Sequence, residues 1–141
     1  MAVNILIVDD SLPMRAVIKK TIKASGYGAA TFFEAEDGRQ ALDLLQNQWL
    51  DIIVSDYNMP DMDGMTLLTH LKADELLATI PVLIITTEGS RVKEQEFMDK
   101  GAAGYIKKPF TPEEIRDKLK QILGDTDETG DNGEGDEDLD F

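Results

Sequence analysis

Four polar clusters each follow an apolar run: Asp9-Asp10, Ser55-Asp56, Thr86-Thr87 and Lys107-Lys108-Pro109. Brought together, the three carboxylates of Asp9, Asp10 and Asp56 would repel one another, and a divalent cation relieves that repulsion. Hard oxygen donors with no histidine or cysteine among them favour Mg2+ over zinc or copper. A carboxylate is also a nucleophile toward phosphorus and can yield an aspartyl-phosphate. The incoming phosphoryl group then needs a hydroxyl donor and a cation, which Thr86 and Lys108 can supply. Singly, each cluster has an ordinary explanation. Adjacent aspartates after a strand usually make a turn or cap, a lysine pair is usually solvated, and threonines suit a strand. The joint placement is what points to phosphoryl transfer.

The clusters meet only if the elements before them lie side by side. Ile5-Leu6-Ile7-Val8, Ile52-Ile53-Val54 and Val82-Leu83-Ile84-Ile85 are short, continuous apolar runs rich in β-branched residues. Such runs suit strands buried on both faces of a parallel sheet. Thr31-Phe32-Phe33 and Gly104-Tyr105-Ile106 are shorter and belong nearer the edges. Between them lie helical stretches with readable ends. Asp37-Gly38-Arg39-Gln40 reads as a capping box before Ala41, Leu44 and Leu45. Thr111-Pro112-Glu113-Glu114 combines an N-cap, a proline at the first helical position and a glutamate two further on, ahead of Ile115, Leu119, Ile122 and Leu123. Pro13 fits the first turn of the helix after strand one, and Gly26 can close that helix.

Five strands alternating with five helices predict an α/β fold, a doubly wound five-stranded parallel sheet. Ligands of such sheets bind outside the carboxyl ends of the strands. That is where all four clusters fall.

A chain of 141 residues fits one domain, and the absence of cysteine excludes disulfides, thiolate metal sites and a cysteine nucleophile. No apolar run reaches the roughly 20 residues of a membrane helix, and Met1-Ala2-Val3-Asn4-Ile5 has no basic n-region or long apolar h-region, so a cytoplasmic protein without a secretory signal is expected. The net charge of −14 is unevenly spread: residues 125–141 hold nine acids and no lysine or arginine, leaving 19 acids against 14 bases in residues 1–124. Neither part has the basic face that nucleic acid requires. Acids interleaved with Gly130, Asn132, Gly133 and Gly135 predict a disordered tail, so the domain is read as 1–124 with an appended acidic segment at 125–141. Leu139 and Phe141, the large apolar residues of that segment, form a candidate docking motif.

The runs Val8-Asp9-Asp10-Ser11, Asp56-Tyr57-Asn58-Met59-Pro60-Asp61-Met62-Asp63-Gly64, Ile85-Thr86-Thr87-Glu88 and Lys107-Lys108-Pro109-Phe110 resemble the receiver domain of two-component response regulators. The likeness is closest to single-domain chemotaxis regulators of the CheY type, and extends to Glu34-Ala35-Glu36-Asp37-Gly38 and Ala102-Ala103-Gly104-Tyr105. It spans about residues 3–124. The resemblance implies a flavodoxin-like, CheY-like (βα)5 fold with strand order 2-1-3-4-5. It implies that Asp56 accepts phosphate from a sensor histidine kinase. Asp9, Asp10, Asp56 and the Asn58 backbone carbonyl would surround Mg2+. Lys108 would meet the phosphoryl group, with a cis Lys108-Pro109 bond, while Thr86 and Tyr105 would act as switch residues. The implied partners are a kinase, of chemotaxis or another relay, and an output protein such as the flagellar motor switch, with the regulator itself a monomer.

By the same resemblance, Asn58, Thr87 and Glu88 would border the path of a hydrolytic water. The Asn58/Glu88 pair implies fast self-dephosphorylation, over seconds to minutes in order of magnitude. Thr87 departs from the alanine or glycine usual in the family, and its bulk works the other way. An aspartyl-phosphate phosphatase of the haloacid-dehalogenase type is the enzymatic alternative, but Asp9-Asp10-Ser11-Leu12 lacks that class's Asp-x-Asp-x-Thr pattern. The 17 residues after Gly124 are too acidic for a helix-turn-helix. His70, the single histidine, reads as a surface residue rather than a relay group, Trp49 as an anchor at a helix end, and Met59 and Met62 as gap fillers.

Overall fold

The computed structural model describes residues 3–87 and 89–124. Strands β1 (Asn4–Val8), β2 (Thr31–Ala35), β3 (Ile52–Ser55), β4 (Val82–Thr86) and β5 (Gly104–Lys107) alternate with helices α1 (Leu12–Ile22), α2 (Gly38–Leu45), α3 (Gly64–Ala73), α4 (Arg91–Asp99) and α5 (Pro112–Leu123). The strands form one parallel sheet in the order β2-β1-β3-β4-β5. This is the predicted doubly wound fold, with the two weaker runs at its edges.

Because side chains alternate across a strand, each central strand feeds two cores. Ile5, Ile7, Ile52, Val54, Leu83, Ile85 and Ile106 pack against Ile18 and Ile22 of α1 and Ile115 and Leu119 of α5. On the other face, Leu6, Val8, Ile53 and Ile84 pack with Leu67, Leu68 and Leu71 of α3 and Phe97 of α4. Burial on both faces explains why β1, β3 and β4 read as unbroken apolar runs.

Each of the five helices is capped by a side chain from the residue before it, so each is held where its strand leaves the sheet. Ser11 Oγ accepts from Met14 N at 3.2 Å, Asp37 Oδ1 from Gln40 N at 2.9 Å, Asp63 Oδ1 from Thr66 N at 2.8 Å and Ser90 Oγ from Lys93 N at 3.0 Å. Thr111 and Glu114 form the full reciprocal box, at 3.1 and 2.8 Å. The α2 box differs from expectation. Gln40 Oε1 accepts from Glu36 N, one residue before the cap, at 2.9 Å. Asp37 is fully extended (φ −158°), which sets the preceding N–H within the glutamine's reach.

Two further local expectations change. Helix α1 does not stop at a simple glycine cap but widens into a π turn over Lys23–Tyr27, with Gly26 at φ 107°, a conformation open to glycine without strain. Trp49 is no helix-end anchor: α2 ends at Leu45, and Trp49 is 52% exposed in the loop beyond. There its carbonyl, rather than its ring, takes hydrogen bonds from the Asn4 and Gln48 side chains. Met59 and Met62 do pack, partly buried, against the α3 side of the core. Glu88 and the acidic segment 125–141, with its Leu139 and Phe141, lie outside the described residues.

Candidate functional site

Parallel strands that end at similar heights place the residues following them on one rim. Asp9 follows β1, Asp56 follows β3, Thr86 ends β4 and Lys108 follows β5. Carboxylate oxygens of Asp9, Asp10 and Asp56 all lie within 4.8 Å of one another. Lys108 reaches across the rim from the far edge, its Nζ 3.1 Å from Asp9 Oδ2 and 3.6 Å from Asp56 Oδ2. Its backbone is held by Lys108 N donating to Thr86 O at 2.7 Å, one step past the β4–β5 ladder, ahead of a cis peptide bond to Pro109.

Each acid sits differently. Asp9 is 1% exposed, and its Oδ1 accepts from Ser11 N at 2.9 Å. Asp10 faces solvent. Asp56 is partly buried and held between elements: its N donates to Val8 O at 2.9 Å, and its Oδ1 accepts from Tyr57 N at 2.7 Å. Burial raises the Asp56 carboxyl above its ordinary value, and the Asp9 carboxylate adds to this. Lys108, a hydrogen bond with the Thr86 side chain and the Tyr57 N–H act in the opposite direction without prevailing. Among the described residues the three carboxylates thus face one ammonium, that of Lys108, a shortage of positive charge.

That shortage is the test of fit for a metal. Three oxygen-donor carboxylates converge, one of them open to solvent and one desolvated beyond what Lys108 offsets. The donor set suits a hard divalent cation such as Mg2+.

The remaining sequence-derived residues surround this centre. Thr86 is fully buried as the last residue of β4, and Thr87 is exposed just beyond it. Asn58 is exposed two residues after Asp56. Tyr105 is buried in β5, its ring 5.7 Å from that of Phe97, which in turn meets the Tyr57 ring edge-on at 5.3 Å. Lys93 Nζ lies 5.0 Å from the centre of the Tyr57 ring. His70 is exposed on α3, beside Met65, Thr66, Thr69 and Ala73, and not at the rim.

Two residues at the site escape sequence reasoning. Gly64 opens α3 directly against Asp56: its N donates to Tyr57 O at 2.8 Å, and a Cβ there would collide with the Asp56 carbonyl oxygen. The glycine is required for close approach, which no local pattern announces. Arg15 stands on the stripe of α1 that also carries Ile18 and Ile22, and it is buried with them. An arginine in an apolar stripe was the available signal.

A family model described as "Response regulator receiver domain" matches residues 5–120. A Campylobacter jejuni protein named "Chemotaxis protein CheY homolog" is 38% identical over 133 residues, covering 94% of this chain and 97% of its own. "Chemotaxis protein CheY-3" of Vibrio cholerae is 42% identical over 120 residues, covering 85% and 91%. Among solved structures, Vibrio cholerae CheY4 is similar, with a TM-score of 0.77 and 36% identity over 87% of this chain and 100% of that one.

Proposed function

The chain belongs to the response regulator receiver family, and on that premise we propose that it is a stand-alone phosphorylation switch of the CheY type. A histidine kinase phosphorylates it on Asp56, and the phosphorylated form binds an output protein. The observation that carries this reading is the Asp56 carboxylate itself, desolvated, aligned by the Tyr57 N–H and within reach of the Lys108 ammonium.

In the forward step a carboxylate oxygen of Asp56 attacks phosphorus. The new P–O bond forms as the P–N bond to the donor histidine breaks, and the imidazole leaves with the bonding pair. Lys108 and the Thr86 hydroxyl then hold the phosphoryl oxygens. Asp9, Asp10, Asp56 and the Asn58 carbonyl would hold Mg2+, which would neutralise the carboxylates against the incoming dianion. Thr86 and Tyr105 carry the change toward the β4–β5 side. In the reverse step water attacks the acyl phosphate in line, and Asn58, Thr87 and Glu88 border its approach. The protein is a switch that loses its own phosphate, not an enzyme that turns over a separate substrate.

Residues 1–124 form the receiver and 125–141 an acidic appendage. The names of the relatives support chemotaxis as the setting, with a chemotaxis kinase upstream and the flagellar motor switch as output. A kinase of this kind draws on cytoplasmic ATP, so the cytoplasm is the compartment. No helix among the described residues is long and apolar enough to cross a membrane.

The test is incubation with phosphoramidate or acetyl phosphate, read by intact mass. One phosphate should add in Mg2+, none in EDTA and none in Asp56→Asn. Equal labelling of Asp56→Asn, or full labelling in EDTA, overturns the assignment. Decay of the labelled protein should slow in Asn58→Lys and Glu88→Lys and quicken in Thr87→Ala.

A further inference from the structure

We propose that Arg15, braced by Glu34, is a positioning residue for the divalent-cation site; this rests on the reading of Asp9, Asp10 and Asp56 as that site. Arg15 lies in the second turn of α1 and is only 8% exposed. Helix dipoles disfavour a cation so near an N-terminus, and arginines are rarely buried without partners. Its partners account for it. Nη1 donates to the backbone carbonyl of Asp9 at 2.7 Å, and Nε to Glu34 Oε1 on β2 at 2.8 Å. Lys19 Nζ holds the other Glu34 oxygen at 3.1 Å. The hydrogen bond from Arg15 is the main reason the Glu34 carboxyl lies below its ordinary value, so the glutamate stays ionised beside the guanidinium.

The carbonyl that Arg15 grips is half of a single peptide unit whose other half is the Asp10 N–H. Peptide units are planar, so fixing that oxygen fixes the plane joining the two residues. Asp9 and Asp10 are both candidate ligands, and one hydrogen bond thereby governs the departure angle of both. The rest of Asp9 is tied elsewhere: its N to Ala35 O at 3.1 Å, its Oδ1 to Ser11 N, its Oδ2 to Lys108. Arg15 controls what those contacts leave open, the turn of the chain from the buried acid to the exposed one. Glu34 has a second role. A buried guanidinium behind the site would by itself oppose a bound cation, and the carboxylate cancels that field.

Groups that orient metal ligands from behind typically change metal affinity by about 10- to 100-fold when removed. The full-length protein should be titrated with MgCl2 by calorimetry, and its thermal midpoint measured separately in EDTA. Arg15→Met, which keeps the stem and loses the donors, should bind Mg2+ about tenfold more weakly. Arg15→Lys, with one donor and no fork, should fall between it and wild type. Glu34→Gln should weaken binding through the uncancelled charge. Ile22→Val loosens the same helix without touching Asp9, and should lower the midpoint while leaving Mg2+ affinity unchanged.

Should Arg15→Met fail to fold, Arg15→Lys and Glu34→Gln carry the test. Mg2+ affinities within twofold of wild type in these variants would overturn the positioning role, whatever the midpoints do. Absence of saturable Mg2+ binding in the wild-type protein would instead overturn the cation reading, and the inference with it.

Discussion

The two faces of the sheet are packed with different materials. Toward α1 and α5 the buried core is isoleucine, leucine and valine with one ring, Tyr27, and Met14, Phe32 and Phe110 pack at its margin, so that β-branched side chains with few rotamers predominate. Toward α3 and α4 it mixes leucines with Phe97 and Tyr105, and Tyr57, Met59, Met62 and Met65 pack at its margin. Methionines and ring-to-ring contacts tolerate rearrangement better than branched aliphatics do. The loop after Asp56 opens onto this second face, where the rings of Tyr57, Phe97 and Tyr105 run from beside Asp56 to β5. The contrast teaches where a charge added at the rim can be felt. In the proposed switch the first face holds the candidate ligands still, and the second offers a path for repacking.

The strongest way to break this contrast is to remove the middle ring. Phe97→Ala should cost about 3–5 kcal/mol, whereas Ile115→Val on the opposite face should cost about 1 kcal/mol. Urea unfolding monitored by circular dichroism measures both. Phosphoramidate labelling should survive in each, because neither side chain belongs to the rim. Equal costs for the two substitutions would remove the distinction between the faces.

Charge sharpens the same contrast. Glu34, on the α1 side, lies below its ordinary value because Arg15 bonds the ionised form, so its charge favours the fold. That contribution is present above the carboxyl's unfolded value and is lost as pH falls through the folded one. Glu34→Gln should therefore destabilise by under about 1 kcal/mol at pH 7, as for a partly exposed pair, with the difference shrinking in acid. Thermal melts of both proteins across that range give the result, and a gap that widens in acid would refute it.

Asp56 should give the smallest effect, of opposite sign. Burial lifts its carboxyl, so its favourable contribution is complete below the unfolded value and disappears as pH rises through the folded one. At neutral pH without metal its charge opposes the fold. Asp56→Asn should consequently melt at a higher temperature than wild type in EDTA at pH 7, and the gain should vanish in acid. A lower midpoint at pH 7 would show the charge to be fully compensated in the protein without metal.

Much of the site was legible because its residues follow directly on apolar runs. Asp9, Asp56, Thr86 and Lys108 were placed by chain order alone, since parallel strands fix which end each residue occupies. The sheet order came from resemblance, as periodicity names strands without ranking them. Partnerships across long separations were not legible. Arg15 meets Glu34 from another element, and its burial contradicts its type while the nearby Leu12 and Val17 stay exposed. Trp49 inverts expectation similarly, an aromatic left in solvent while the adjacent Leu50 takes the buried position. Gly64 carries no unusual dihedral, so only the nearness of Asp56 explains it.

Gly64 has one more consequence, best put mechanically. The Asp56 backbone is bolted to β1 through its N–H to Val8 on one side and pressed at its carbonyl by the bare first turn of α3 on the other. It is a fulcrum. Load applied to the Asp56 side chain has no give beneath it, and in the proposed switch the displacement passes to the lighter arm, the ends of β4 and β5. An alanine at position 64 would be a shim under that pivot, tilting the acceptor before any phosphate arrived.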